Sequence, residues 1–353
     1  MTRTADPARR PRTRRDRAGD QPVPEAEFTS YYGRQVVKPA PWDERIPIYM
    51  FFGGLAAGSS LLAAGGQLTG RPALRRAGRL GAAGGLGVSM VALVSDLGRP
   101  ERFLNMLRTV KLTSPMSVGT WLLSIYGGPA AVAALDEVVR LTPLPADSRA
   151  VRLLRAVGRP AGVLAAVTAP PVAAYTAVLL SDTSTPTWRD AQGELPFVFC
   201  ASAAAASGGL AMVATPAAQA GPARRMGAAG ALVELAAEQV MERSMGLSAE
   251  TLHTGQGGRW MRAAKVLTAA GGVGALLAGR RRWLGVLSGA ALMAGSFCTR
   301  MGVFEAGQAS ARDPRYTVVP QRERLERGEP VRFTPRGEAA GTGSGRAAAD
   351  RPQ

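Results

Sequence analysis

The sequence is poor in residues that bind metals. Its 353 residues include one histidine, His253, and two cysteines, Cys200 and Cys298. A haem held by two histidines of this chain is therefore excluded. The cysteines stand far apart and in no Cys-x-x-Cys arrangement, so the chain is expected to carry no iron–sulfur cluster and no metal of its own. The N-terminal stretch lacks the apolar core of a signal peptide. The pairs Arg9-Arg10 and Arg14-Arg15 precede no apolar run, which argues against a twin-arginine signal. No internal repeat stands out. A net charge of +17 suggests nucleic acid at first sight. That reading fails, because there is no nucleic-acid motif and no basic helix interleaved with aromatics.

The basic residues lie in two polar tails and in short connections between long runs of Ala, Gly and Leu. Mean hydropathy is close to zero only because it averages these two populations. Eight runs approach the roughly 20 apolar residues that a helix needs to cross a bilayer. They are 46–68, 77–97, 117–138, 158–180, 195–215, 226–243, 262–279 and 283–303. The sixth is the weakest, since it carries three glutamates. The 43 glycines suit such helices, whose backbones approach closely through small residues. The pattern predicts an all-α, multi-pass integral membrane protein with about eight transmembrane helices over 41–307. A disordered basic tail (1–40) is expected before them and a disordered tail (308–353) after them. The basic tails suit anionic membrane lipid better than nucleic acid. Arginines in the first (Arg71, Arg75, Arg76, Arg79), third (Arg140, Arg149, Arg152, Arg155, Arg159) and seventh (Arg280, Arg281, Arg282) connections place the odd-numbered loops in the cytoplasm, whereas the Arg-rich N-terminal tail argues the opposite.

Four places carry polar residues that a membrane helix would otherwise avoid. Asp96, Arg99 and Arg102 cluster where the second run ends; arginine would hold Asp96 ionised, burial would oppose that. A solvated capping loop has the same composition. In the fourth run Pro170-Pro171 predict a kinked or broken helix, with Tyr175 one turn beyond, placed either to donate to a ligand carbonyl or to sit in an interfacial aromatic belt. Tyr49 precedes Phe51-Phe52-Gly53-Gly54 and could line a ring-binding pocket or anchor the helix. In the sixth run Glu234, Glu238 and Glu242 recur at every fourth residue and share one helix face. Carboxylates at such depth usually pair or line a water path, so Glu234 and Glu238 are candidates for a proton route. His253 reads as an ordinary loop residue.

Three stretches resemble the NrfD/PsrC family, the membrane subunits of polysulfide reductase-like molybdoenzyme complexes. They are YMFFGGLAAGS (49–59), SDLGRPERFLNMLRTVKLTSPMSVGT (95–120) and YTAVLLSDTSTPTWRDAQGELPFV (175–198), and the likeness extends over about 30–305. The resemblance implies eight helices built as two four-helix bundles in a cell (plasma or inner) membrane. It implies a menaquinone or other quinone as cofactor, with no haem. The expected partners are an iron–sulfur, four-cluster ferredoxin-like subunit and a molybdopterin oxidoreductase catalytic subunit. Tyr175 matches the family's quinone-contacting tyrosine, Asp96 and Arg99 match the motif beside the quinone pocket, and Tyr49 falls near a position that is histidine in polysulfide reductase. On this reading the chain is not catalytic alone and exchanges electrons between the quinone pool and the iron–sulfur partner. A secondary transporter, suggested by a broken fourth helix and buried glutamates, and a passive anchor for a molybdoenzyme are the alternatives.

Overall fold

The computed structural model describes residues 35–97, 100–143, 145 and 148–328, and every regular element among them is a helix. Eight helices are long: α1 (Arg45–Leu68), α2 (Pro72–Asp96), α3 (Pro115–Leu141), α4 (Arg149–Ser181), α6 (Leu195–Ala214), α7 (Gly221–Ser244), α8 (Gly255–Leu277) and α9 (Arg282–Arg312). Short helices α5 (Pro186–Asp190) and α10 (Arg315–Glu326) accompany them. Short 3₁₀ helices cover Pro100–Arg108 and Gly246–Leu252. Proline stands in the first turn of α2, α3, α5, α6 and α7, where its missing N–H costs nothing. Six helices (α1, α2, α3, α4, α6 and α9) are long and apolar enough to cross a membrane. Of the eight expected crossings, α7 and α8 fall short by composition. The first carries Arg224, Arg225 and three glutamates, the second Arg259, Arg262 and Lys265.

The long helices pack as two four-helix bundles. In the first, α1 packs on α2 and α4, and α3 closes the ring between them; in the second, α6, α7, α8 and α9 close a ring in the same way. The wall between the bundles is chiefly α1 against α6, with α4 alongside. Lipid provides no hydrophobic drive for such packing, so backbones must come close. Gly208 of α6 faces Gly227 of α7, and Gly209 faces Gly289 of α9; a Cβ at Gly208 would stand 2.6 Å from the Gly227 backbone.

Three expectations change. The double proline does not break the fourth helix: α4 runs unbroken through Pro160, Pro170 and Pro171. The C-terminal segment expected to be disordered from 308 begins with the end of α9 and with α10. The expected tail segments 1–34 and 329–353 lie outside the described residues. Finally, Arg75 and Arg79, assigned above to the first connection, belong to α2. Arg79 is buried, and its guanidinium donates to Asp136 (2.7 Å), Glu137 (3.3 Å), Gln67 (2.6 Å) and the Gly158 carbonyl (3.0 Å). Arg75 pairs with Glu137, and Arg140 with Asp136 at 3.0 Å. These charges are neutralised inside the bundle, so they no longer count as loop charge for orientation.

Removing Arg79 leaves two buried carboxylates short of a partner. Arg79→Leu is expected to destabilise the purified protein by roughly 3–5 kcal/mol. The thermal midpoint in detergent should fall markedly, while exposed Arg152→Ala leaves it nearly unchanged.

Candidate functional site

Two of the sequence-selected residues meet in one cavity. Tyr49, one turn into α1, and Tyr175, near the end of α4, both line a narrow space at one end of the first bundle. Its remaining walls are Leu93 and Leu97 from the end of α2, Met106 from the tight helix after it, and Met116, Gly119, Thr120 and Leu123 from α3, with Leu179 from α4. Leu97, the first residue of the LGRPERF motif, and Met106, just after it, therefore border the cavity. The interior is apolar apart from two phenols and one hydroxyl.

Local sequence explains this arrangement. Ser114 and Pro115 start α3, and Gly119 follows one turn later. A Cβ on Gly119 would overlap the Tyr175 ring, so glycine there makes room for the phenol. The Tyr175 hydroxyl donates to the Pro115 carbonyl at 2.7 Å. That bond ties α4 to the start of α3. The phenol oxygen remains able to accept, while its proton is already engaged. Tyr49 is buried, and its backbone carbonyl accepts from Ser89 of α2 at 3.0 Å, which fixes α1 against α2 at the cavity.

Asp96 sits beside the cavity without lining it. It ends α2, half-buried, where its carboxyl meets Asp43 and lies near Arg45. Arg45 also donates to the Ser95 carbonyl, so the start of α1 and the end of α2 are clamped together. Arg99 lies outside the described residues.

Glu234 and Glu238 are in the other bundle. Both are buried, and both lie within electrostatic reach of Arg300 of α9, itself 1% exposed. Thr299 donates to Glu234 Oε1 at 2.7 Å. Arg300 donates to the Phe199 carbonyl at 2.9 Å, and its guanidinium stacks 3.8 Å from the centre of the Phe199 ring. Arg300 Nε and Nη1, Glu234 Oε2 and Glu238 Oε2 are buried with no hydrogen-bond partner among the described residues. Toward the end of α7, Glu242 pairs with Lys265 (2.5 Å) and faces His253 (3.6 Å), which is half exposed. The glutamate face thus runs from the bundle interior to its surface, on the side of the membrane domain where α1 begins and the tyrosine cavity lies. Sequence reasoning missed Arg300 and Lys265; a single arginine inside the eighth apolar run was the available signal.

A family model described as "Polysulphide reductase, NrfD" matches residues 34–252, well over half of the chain. The match contains the whole cavity and the three glutamates and stops before α8, short of the span over which the sequence resemblance was drawn. Among curated proteins, none matches.

The Gly119 contact makes a direct test. Gly119→Ala should push the Tyr175 ring off α3 and lower the thermal midpoint of the purified protein. Gly128→Ala, on the same helix with open space at its Cα, should hold or raise it through better helix propensity.

Proposed function

The chain belongs to the NrfD family, and from that membership together with the tyrosine-lined cavity we propose that it is the quinone-reactive membrane subunit of an oxidoreductase complex. The observation that carries this reading is the convergence of Tyr49 and Tyr175, from different helices, on one apolar cavity bordered by Leu97 of the LGRPERF segment. A quinone ring is flat and apolar with polar oxygens at two ends. The cavity's leucines and methionines suit the ring and its two phenols suit the oxygens, and the space of about 40 Å³ must widen to admit it. When bound, a quinone supplies two-electron, two-proton redox chemistry. Tyr175 would hold one ring oxygen by exchanging its bond to Pro115 for one to the ligand. Tyr49 would bound the ring from α1. Asp96, next to Leu97, would set the charge at the cavity edge, and Arg99 follows it in the same sequence motif.

The sequence has one histidine and no Cys-x-x-Cys motif, so electrons would pass to a partner at the cavity end. The expected partner is a four-cluster ferredoxin-like iron–sulfur subunit, which in turn serves a molybdopterin oxidoreductase subunit. Protons would be handled by this chain. Arg300, Glu234 and Glu238 together carry one excess negative charge when all are ionised. In a low-dielectric interior that excess favours uptake of one proton. The pairs Lys265–Glu242 and His253–Glu242 provide relay groups from the surface to that cluster. The guanidinium of Arg300 lies close to Gly54 of α1, five residues and about 7.5 Å along the helix from Tyr49. The two sites therefore share α1 as a wall.

The transporter reading drew on a broken fourth helix, and α4 is continuous. A passive anchor would need neither the tyrosine cavity nor partnerless buried charges.

In the assembled complex, Tyr175→Phe should lower quinone-linked turnover about five- to tenfold, the cost of one hydrogen bond. A complex that keeps full quinone activity with Tyr175→Phe and Asp96→Asn combined would remove the site assignment. Glu238→Gln should slow steady-state turnover while leaving the apparent affinity for quinone unchanged; loss of affinity instead would assign the glutamates to the binding site.

A further inference from the structure

At the end of the second bundle opposite the tyrosine cavity, α7 and α8 diverge and leave a groove of about 430 Å³. Its floor is buried Ala231, Gly272 and Thr268; its walls are the exposed Leu232, Val273 and Leu276. The lining is apolar except for the Thr268 hydroxyl in the floor, which is buried without a hydrogen-bond partner among the described residues, and Arg225 at the rim.

The rim belongs to a region of one charge sign. Residues 215–225 and 278–282 hold five arginines and no acid. Two of the five are committed to the fold. Arg224 donates to the Gly279 carbonyl at 2.6 Å, bringing the start of α7 against the α8–α9 turn. Arg282 donates to the Met212 and Thr215 carbonyls at 2.6 and 2.7 Å and closes the end of α6. Arg225 lines the groove and is exposed; Arg280 and Arg281 are exposed in the α8–α9 turn that Arg224 holds against the start of α7. From Arg225 to Leu235, the groove's extent along α7 is ten residues, about 15 Å. That equals half of a hydrocarbon core of about 30 Å.

A slot half a bilayer deep, apolar along its length and cationic at its mouth, has the complement of one molecule class. We propose that this groove binds an anionic phospholipid of the surrounding bilayer, with an acyl chain along α7 and α8 and the phosphate against Arg225 and the arginine turn. The site is separate from the quinone reading, since it lies in the other bundle and at the opposite membrane face.

The test uses the delipidated full chain in mild detergent, with native mass spectrometry reading bound lipid. Phosphatidylglycerol is expected to bind more tightly than phosphatidylcholine of the same chains. Arg225→Gln should weaken phosphatidylglycerol about fivefold, the value of one arginine near a lipid surface. Ala269→Trp, which fills the exposed side of the groove, should abolish binding while the thermal midpoint shows a folded protein. Equal binding of the two lipids, retained binding by Ala269→Trp, or displacement by free glycerol phosphate would overturn the proposal. So would a dimer that Ala269→Trp converts to monomer, which would assign the groove to a second copy of the chain.

Discussion

Both bundles are organised around a buried arginine flanked by two carboxylates. Charge inside a membrane protein is tolerated only where opposite charge or a polar partner meets it. In the first bundle Arg79 gathers Asp136, Glu137 and Gln67 from neighbouring helices, so that α1, α2, α3 and α4 close around one neutralised knot. In the second, Arg300 of α9 gathers Glu234 and Glu238 of α7 and the backbone of α6. The helices are otherwise built of alanine, glycine and leucine, which pack without specifying which helix meets which. The arginine knots provide that specificity.

The two knots differ in how fully they are satisfied. Around Arg79 nearly every donor and acceptor is used, and only Nε lacks a partner. Around Arg300 four charged-group atoms lack one. An incompletely bonded buried network costs stability, and a fold under no other demand would not retain it. On the proposed function, the first knot serves structure and the second serves proton handling. The surroundings agree. The Arg300 cluster continues through Lys265, Glu242 and His253 to the surface, whereas the Arg79 knot is bonded to the helices it joins.

The architecture was legible in the sequence because hydrophobic runs of membrane length leave little choice of element, and six of the eight runs met the composition of a span on their own. Helix ends were less legible. The arginines of 149–159 read as loop, yet they lie in α4, because arginine is a good helix former and only Ser148 marks the start, capping the Val151 N–H. Arg79 was misplaced for the same reason: one sequence cannot show that Asp136 and Glu137, fifty-seven and fifty-eight residues away, wait across the bundle. The double proline misled in the opposite direction: α4 runs on through both residues as one helix. Tyr49 and Tyr175 were legible as members of one site through family resemblance alone. Nothing in their local sequence states that Gly119 clears a space for the second phenol.

The position of α1 bears on how the two bundles could act together. It carries Tyr49 on the cavity side and Gly54 next to Arg300, and it packs on α2, α4 and α6. A rigid helix that lines both sites transmits displacement more directly than any route through loops, and Gly54 lies beside both the Arg300 guanidinium and Ala203 of α6. A ligand that moved Tyr49 would shift the same helix that borders Arg300. Because Arg300 is bonded on one side only, to Phe199, and is partnerless on the other, a small displacement would change which glutamate it favours at little cost in broken bonds. In the first bundle the same displacement would meet the more completely bonded Arg79 knot and be resisted. The bundle with the tyrosine cavity is thus held stiff at its far end, and the bundle with the glutamates holds the charge that is free to respond.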